Sequence, residues 1–364
     1  MDFLHKSFQE FLEAFFEQVS DPRYFVKLEE VLLFSCGILA MKCDEQVVAL
    51  VKSLKNEVSE NEGNGLKVVL EAINECKRQK SDFHSRLAKS FGTCLNLTNL
   101  NLYYSGIGGV GATSITEAIK VNKTLTNLNS CSNGISDAGT TSIAEAIKVN
   151  KTLTNLNLCY NYISDAGATS IAEAVKVNGT LTNLNLSAND IRDAGATSFA
   201  EAIKVNKTLT NLSLSCIFII YSSDISFGKS IKVHETVTSF DLRGYGISDA
   251  GATSIAEAIK VNKTLTKFNF SSNIISDAGA ASIAEAIKVN KTLNDLDLLC
   301  IGISDAGAIS IAEAIKVNKT LSNLSLSFNR ISDAAATSIT EAIKVNKTLI
   351  NLHLLCNSIR DDDD

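Results

Sequence analysis

Four histidines, nine cysteines and one Gly-Lys-Ser tripeptide are the side chains best suited to chemistry in this 364-residue chain. Histidine is the usual base or metal ligand near neutral pH, thiolates attack or bind soft metals, and Gly-Lys-Ser can close a phosphate-binding loop. The spacing supports none of these roles. His5, His84, His234 and His353 lie far apart, and His234 stands where sister segments carry asparagine. Gly228-Lys229-Ser230 has Ser223 where a phosphate loop needs its first glycine, and it falls in mid-helix by register. The cysteines include no CxxC pair, and several fall at two adjoining variable places, the seventh (Cys131, Cys159) and the eighth (Cys216, Cys300, Cys356). That pattern predicts reduced cytosolic thiols in preference to disulfides or zinc. Acidic residues recur at fixed intervals and form no isolated catalytic pair. We expect no enzyme, no cofactor and no metal.

The fixed interval is the dominant feature. From Leu97 onward the chain repeats every 28 residues, with leucine at 97, 125, 153, 181, 209, 265, 293, 321 and 349 and Val237 in the series. A unit this short cannot bury its own apolar face, so stacked copies must share a continuous core. In the unit Leu153 to Thr180, the closely spaced Leu153, Leu156 and Leu158 mark a short strand. Ser164-Asp165-Ala166-Gly167 marks a helix start, and Ala168, Ile171, Ala172 and Val175 form its inward stripe. Asn178 is expected to end the helix in the left-handed conformation, supported by Gly179. Each large side chain buried in this way stabilises by about 1.5–3 kcal/mol.

Leu153, Leu156, Leu158, Asn161 and Ile163 spell LxxLxLxxNxI, the pattern of a leucine-rich repeat. The fold class is therefore α/β: a solenoid with a parallel concave sheet, convex helices and about ten repeats over 81–364, the last one cut short. Repeat length and the helical convex half resemble the ribonuclease-inhibitor-like class, whose repeats form a horseshoe. Asn133, Asn161, Asn189, Asn273, Asn329 and Asn357 share the ninth place and should satisfy backbone groups of the loops. Ser130 replaces the leucine of sister repeats, which predicts a local core defect. The fifth unit loses its Ser-Asp-Ala-Gly start to Cys216-Ile217-Phe218-Ile219-Ile220-Tyr221, predicting a distorted turn, with Phe227 and Ile231 keeping the helix stripe. Residues 87–96 align with a half repeat, and the end, Asp361 to Asp364, is either a crude polar cap or the edge of a truncated product.

Residues 1–80 differ in composition and read as packed helices, with Asn56 to Asn64 as a candidate linker. Phe3-Leu4-His5-Lys6-Ser7-Phe8-Gln9-Glu10-Phe11-Leu12 resembles the F-x-H-x-S-F-Q-E-F/Y motif of NACHT-containing NLR proteins. There the motif ends a winged helix, ahead of a second helical domain and ribonuclease-inhibitor-like repeats, the order expected here. The resemblance implies a cytoplasmic protein of innate immunity that binds a partner or restrains a NACHT domain. It maps the nucleotide-sensing histidine onto His5, although no phosphate loop accompanies it.

A net charge of −6, four units of it in Asp361–Asp364, leaves a nearly neutral body that does not suit nucleic acid. No apolar run is long enough to span a bilayer, and no membrane partner is expected. Glutamates at 117, 145 and 173 should pair with lysines at 120, 148 and 176, neutralising what would otherwise be a lysine ladder. Variation between repeats concentrates at the seventh, eighth and tenth places, on the concave face and its rim. Candidate partner-binding residues there are Tyr103, Tyr104, Tyr160 and Tyr162, and the charged group Asp241, Arg243, Lys267, Asp295 and Asp297. Ile217, Phe218, Ile220 and Tyr221 could add an apolar bulge. The expected function is a protein-interaction scaffold like the sensor end of an NLR receptor, the alternative being a regulator similar to Ran GTPase-activating proteins.

Overall fold

A computed structural model describes residues 98–215 and 223–360. The helical region expected over 1–80, the entry half-repeat, His5, the 217–221 bulge and the Asp361–Asp364 cap lie outside these residues.

Strand and helix alternate throughout. The strands are β1 (Asn99–Asn101), β2 (Asn127–Asn129), β3 (Asn155–Asn157), β4 (Asn183–Asn185), β5 (Asn211–Ser213), β6 (Ser239–Asp241), β7 (Lys267–Asn269), β8 (Asp295–Asp297), β9 (Asn323–Ser325) and β10 (Asn351–His353). Between them run α1 (Gly108–Val121), α2 (Asp137–Val149), α3 (Asp165–Val177), α4 (Asp193–Val205), α5 (Ser223–Val233), α6 (Asp249–Val261), α7 (Asp277–Val289), α8 (Asp305–Val317) and α9 (Asp333–Val345). The ten strands pair in sequence order as one open parallel sheet, the helices packing against each other beside it. Register is the repeat itself: Leu100 faces Leu128, Leu128 faces Leu156, and so on to Leu352. The central residue of nearly every strand is buried and its two polar neighbours face outward. The result is an α/β repeat solenoid.

The helix stripe is as expected. Ala168, Ile171, Ala172 and Val175 are fully buried, as are Phe227 and Ile231 in the irregular fifth repeat. That repeat does not break the stack, because β5 pairs with β6 in unshifted register. Aromatic packing surrounds it: Phe227 meets Phe240 and Tyr245 edge-on at 5.5 and 5.6 Å. Gly228 lies inside α5, where a Cβ would come within 2.6 Å of the Ser254 backbone. This glycine permits close helix packing and cradles no phosphate.

Two expectations are corrected. Asn178 does not take the left-handed conformation; its φ is −75° and its ψ is 132°. It is instead buried and bridges repeats. Its Oδ1 accepts from Thr180 N and Leu181 N, while its Nδ2 donates to the Ile147 and Asn150 carbonyls of the preceding repeat. An amide carries both donor and acceptor, so one side chain closes its own turn and ties two units together. The cysteines also differ from expectation. Cys131 and Cys159, both seventh in their repeats, form a disulfide with Cα atoms 4.6 Å apart. Equivalent residues of adjacent strands sit about 4.8 Å apart, inside the range a disulfide can bridge. Cys300 and Cys356 are two repeats apart and remain free.

The helix starts are linked from one repeat to the next. Asp137 opens α2, but its carboxylate caps α3: Oδ1 accepts from Ser164 N at 2.8 Å and Gly167 N at 3.0 Å. Asp165, Asp249 and Asp277 do the same for their successors. The following glycine is required because a Cβ on Gly167 would lie 2.6 Å from Asp137 Oδ1. In α9 alanine replaces that glycine at Ala335, and Asp305 keeps only its bonds to Ser332 N and Oγ.

The second repeat carries the expected defect. Ser130 is buried and its Oγ has no hydrogen-bond partner, as is true of Thr140 Oγ1 in the same repeat. Sister repeats hold Leu158 and Ala168 at these places. Restoring that pair with Ser130→Leu/Thr140→Ala removes two unsatisfied hydroxyls and regains apolar burial. We expect a gain of about 1–3 kcal/mol in urea denaturation under oxidising conditions.

Candidate functional site

Two surfaces could recognise a partner: the open face of the sheet, and the edge where the chain leaves each strand. On the sheet face, asparagines stack along the solenoid axis. Asn127, Asn155, Asn183 and Asn211 each donate from Nδ2 to the Oδ1 of the asparagine one repeat earlier. Asn129 does likewise to Asn101 at 2.9 Å. These ladders line a shallow groove of about 450 Å³ running from Asn99 to Asp241. Asn155 and Asn183 donate both to the preceding asparagine and to a neighbouring threonine hydroxyl and accept from the next asparagine, so the ladder satisfies most of its own amides and leaves few polar anchors.

From β6 to β8 the ladder gives way to charge, and it resumes where Asn351 donates to Asn323. Asp241, Arg243, Lys267, Asp295 and Asp297 fall on β6 to β8 and the adjoining turn, but as separate pairs. Arg243 Nη2 lies 3.2 Å from Asp241 Oδ2, and Lys267 Nζ lies 3.4 Å from Asp295 Oδ2. Asp297 accepts from the backbone of Leu299. The group thus presents two ion pairs and one carboxylate, Asp297, without a cation among the described residues, rather than a strong field of one sign.

The edge is shaped by backbone. Wherever the eighth residue of a repeat is described, it sits in the left-handed region with φ between 53° and 61°: Tyr104, Ser132, Tyr160, Ala188, Gly244, Ser272, Cys300, Phe328 and Cys356. Such a φ is unfavourable for an L-residue. Lateral hydrogen bonds hold it, Tyr104 N donating to Cys131 O and Tyr160 N to Ser187 O, each at 3.0 Å. This corner turns the chain out of the strand and throws its side chain into solvent. Tyr104 and Tyr160 at this corner, with Tyr103 and Tyr162 beside it, are 60–79% exposed. They form two pairs with one repeat between them. Tyr103 and Tyr104 rings are 6.2 Å apart, and no ring contact joins the pairs among the described residues.

The same corner displays residues that were not anticipated as binding candidates: Phe328, Cys300 and Cys356, with Leu355 exposed beside them. Their only signal in the sequence was occupancy of the eighth or seventh place.

The histidines offer no reactive site among the described residues. His234 is buried, and its Nδ1 accepts from Thr236 N and Val237 N at 2.9 Å each, the acceptor half of the asparagine role. Burial, reinforced by the Lys207 charge and opposed by Glu235, lowers its pKa to about 4. No group of three metal-ligating side chains occurs among the described residues. Burial raises the pKa of Asp277, but hydrogen bonds from the Ser304 hydroxyl and from Ser304 and Gly307 N–H outweigh it and hold the carboxyl below its ordinary value. Asp305 is lowered by the Ser332 hydroxyl and N–H. These carboxylates act as helix caps.

A family model described as Leucine Rich repeat matches residues 149–172, 177–200, 261–284 and 317–339. The matched segments are leucine-rich repeats. No curated protein matches the sequence. Among solved structures, the actin-binding site 2 of leiomodin-1 is 23% identical with a TM-score of 0.36, covering 39% of this chain and 84% of that one. The tropomodulin C-terminal domain of Caenorhabditis elegans is 16% identical with a TM-score of 0.36, covering 40% and 90%. The yeast Rad7–Elc1 complex is 14% identical with a TM-score of 0.43, covering 85% and 81%. Superpositions this loose carry no partner or activity across.

The neutral His234 makes stability depend on pH. An unfolded histidine takes its proton near pH 6.5, whereas His234 resists until about 4. Between these values the unfolded chain binds more protons, so its contribution is full above 6.5 and falls as pH drops towards 4. His234→Asn should flatten this fall: urea midpoints at pH 7 and pH 5 should differ less in the variant than in the parent protein.

Proposed function

We propose that the chain is a non-enzymatic recognition scaffold whose specific partner is a protein seated on the strand-exit edge. The observation carrying this reading is the left-handed eighth residue. A strained corner that projects whatever side chain it holds is a display position, and it is where otherwise near-identical repeats differ. The edge and sheet face together offer Tyr, Asn, Ser and Gly, the mixture of rigid aromatic anchors and adaptable polar contacts found in antibody paratopes. Leucine-rich repeats themselves imply a protein-interaction scaffold.

The finer reading is similarity to the sensor or autoinhibitory end of an NLR receptor, with a NACHT domain as the partner restrained. Its support is the ten-residue motif around His5 followed by repeats of the ribonuclease-inhibitor-like class. This reading puts the protein in the cytoplasm, where Cys131 and Cys159 would be held largely as thiols and the disulfide would represent an oxidised state. No helix among the described residues is long and apolar enough to cross a membrane. The second reading, regulation of a small GTPase, is favoured by the acidic run Asp361–Asp364 alone.

A purified NACHT domain titrated with the full chain should bind, and Tyr104→Ala/Tyr160→Ala should weaken binding by about tenfold or more. Acceleration of GTP hydrolysis on a small GTPase would replace the NLR reading with the second. Binding of ATP or ADP by the chain alone would overturn the claim that it acts without a nucleotide site.

A further inference from the structure

We propose that the opposite edge of the solenoid, where the helices end, is a docking surface for an anionic lipid bilayer. Two rows of side chains run along it. The first is apolar: the last helical residue is valine in each repeat, and Val149, Val177, Val205, Val233, Val261, Val289, Val317 and Val345 are all 51–63% exposed. Solvent-facing valine is a poor helix former, so propensity does not explain it. The second row is basic and lies two residues further on, past the buried asparagine: Lys123, Lys151, Lys207, Lys263, Lys291, Lys319 and Lys347 are exposed.

These lysines differ from the lysines inside the helices. Lys148, Lys176, Lys260, Lys288 and Lys316 are each tied to a glutamate three residues earlier. The outer row lacks such neutralisation. Among the described residues only Lys207 has a carboxylate within 4 Å, Glu235 at 3.8 Å. Gly179 and Glu235 are the two interruptions of the row. The edge therefore offers positive charge beside half-exposed apolar groups, although the chain as a whole is slightly acidic. That pairing suits lipid, with lysine heads at anionic headgroups and valines against the acyl boundary.

Geometry selects the occupant. The same valine and lysine recur at the same edge position of nearly every repeat, so an extended surface lying along the stack meets the same pair again and again. The two rows also repeat the same chemistry at every step, so they cannot specify a register for a partner with a sequence of its own. A fluid bilayer has no register to specify. Nucleic acid would meet the lysines but gain nothing from the valines. The inference departs from the expectation of no membrane partner, which rested on the lack of a spanning segment. It is independent of the tyrosine edge.

The test is flotation of the full chain with phosphatidylcholine vesicles, with and without phosphatidylserine. Binding should require phosphatidylserine and fall with added salt. Lys263→Glu/Lys291→Glu/Lys319→Glu should weaken it by at least about tenfold. Val261→Ser/Val289→Ser/Val317→Ser should weaken it several-fold with the lysines intact. Circular dichroism melting should show both variants folded. No flotation of the parent protein, or flotation unchanged by either set of substitutions, overturns the proposal. Tighter binding to a homopolymeric RNA than to these vesicles would overturn it in favour of a polyanion.

Discussion

Buried asparagine amides that reach into the preceding repeat hold this molecule in register. Each turn between helix and strand, and each loop between strand and helix, leaves backbone N–H and C=O groups that burial would otherwise orphan at a cost of about 1–3 kcal/mol each. At the helix end Asn178 closes its own turn and donates to two carbonyls behind it. At the strand exit Asn161 accepts from Asn133 N and Ile135 N and donates to Ser130 O and Cys159 O. Apolar side chains give the stack its adhesion but would tolerate slippage. The amides do not, because a shift breaks several bonds in every unit.

The aspartate links add direction. A carboxylate from one helix start caps the next, so each helix is completed by its predecessor. The fifth repeat tests the arrangement. Tyr221 stands where the linking aspartate belongs, and Ser248 then uses its own hydroxyl to accept from Gly251 N. His234 replaces the helix-end asparagine there and supplies the acceptor half of its bonding. The stack survives because sheet register and the aromatic core around Phe227 persist on either side.

This division of labour separates what is fixed from what is displayed. Among the described residues the helix-end asparagines, which bond across repeats, vary only at His234 and are buried. The strand-exit corner demands only a backbone angle, which lateral hydrogen bonds enforce, so its side chain is free to differ. Tyr104, Tyr160, Phe328 and Cys300 share one conformation and nothing else. The helix-end edge is the converse, exposed yet monotonous, and the two edges consequently suit different kinds of partner.

Much of this was legible in the amino-acid sequence. A 28-residue period makes residues 28 apart spatial neighbours, so strand order, register, the helix stripe, the Glu–Lys pairs and the Ser130 defect all followed from periodicity. The ninth-place asparagines were legible for the same reason, since one amide recurring at the same place in most repeats points to a backbone role. What the sequence could not supply was which neighbour each group serves. Asn178 read as a left-handed cap because its local context fits one; its real partners are carbonyls in another repeat. The Cys131–Cys159 bond joins residues one period apart, a neighbour relation the period contains and the rules of linear cysteine spacing overlook. The left-handed eighth position was hidden because Tyr, Ser, Ala, Cys and Phe occupy it, residues that carry no signature of positive φ. Sequence determined the unit and its period, since these depend on short-range pattern. Tertiary structure decided what each polar group bonds to and which side chains face outward, since both depend on the repeat next door.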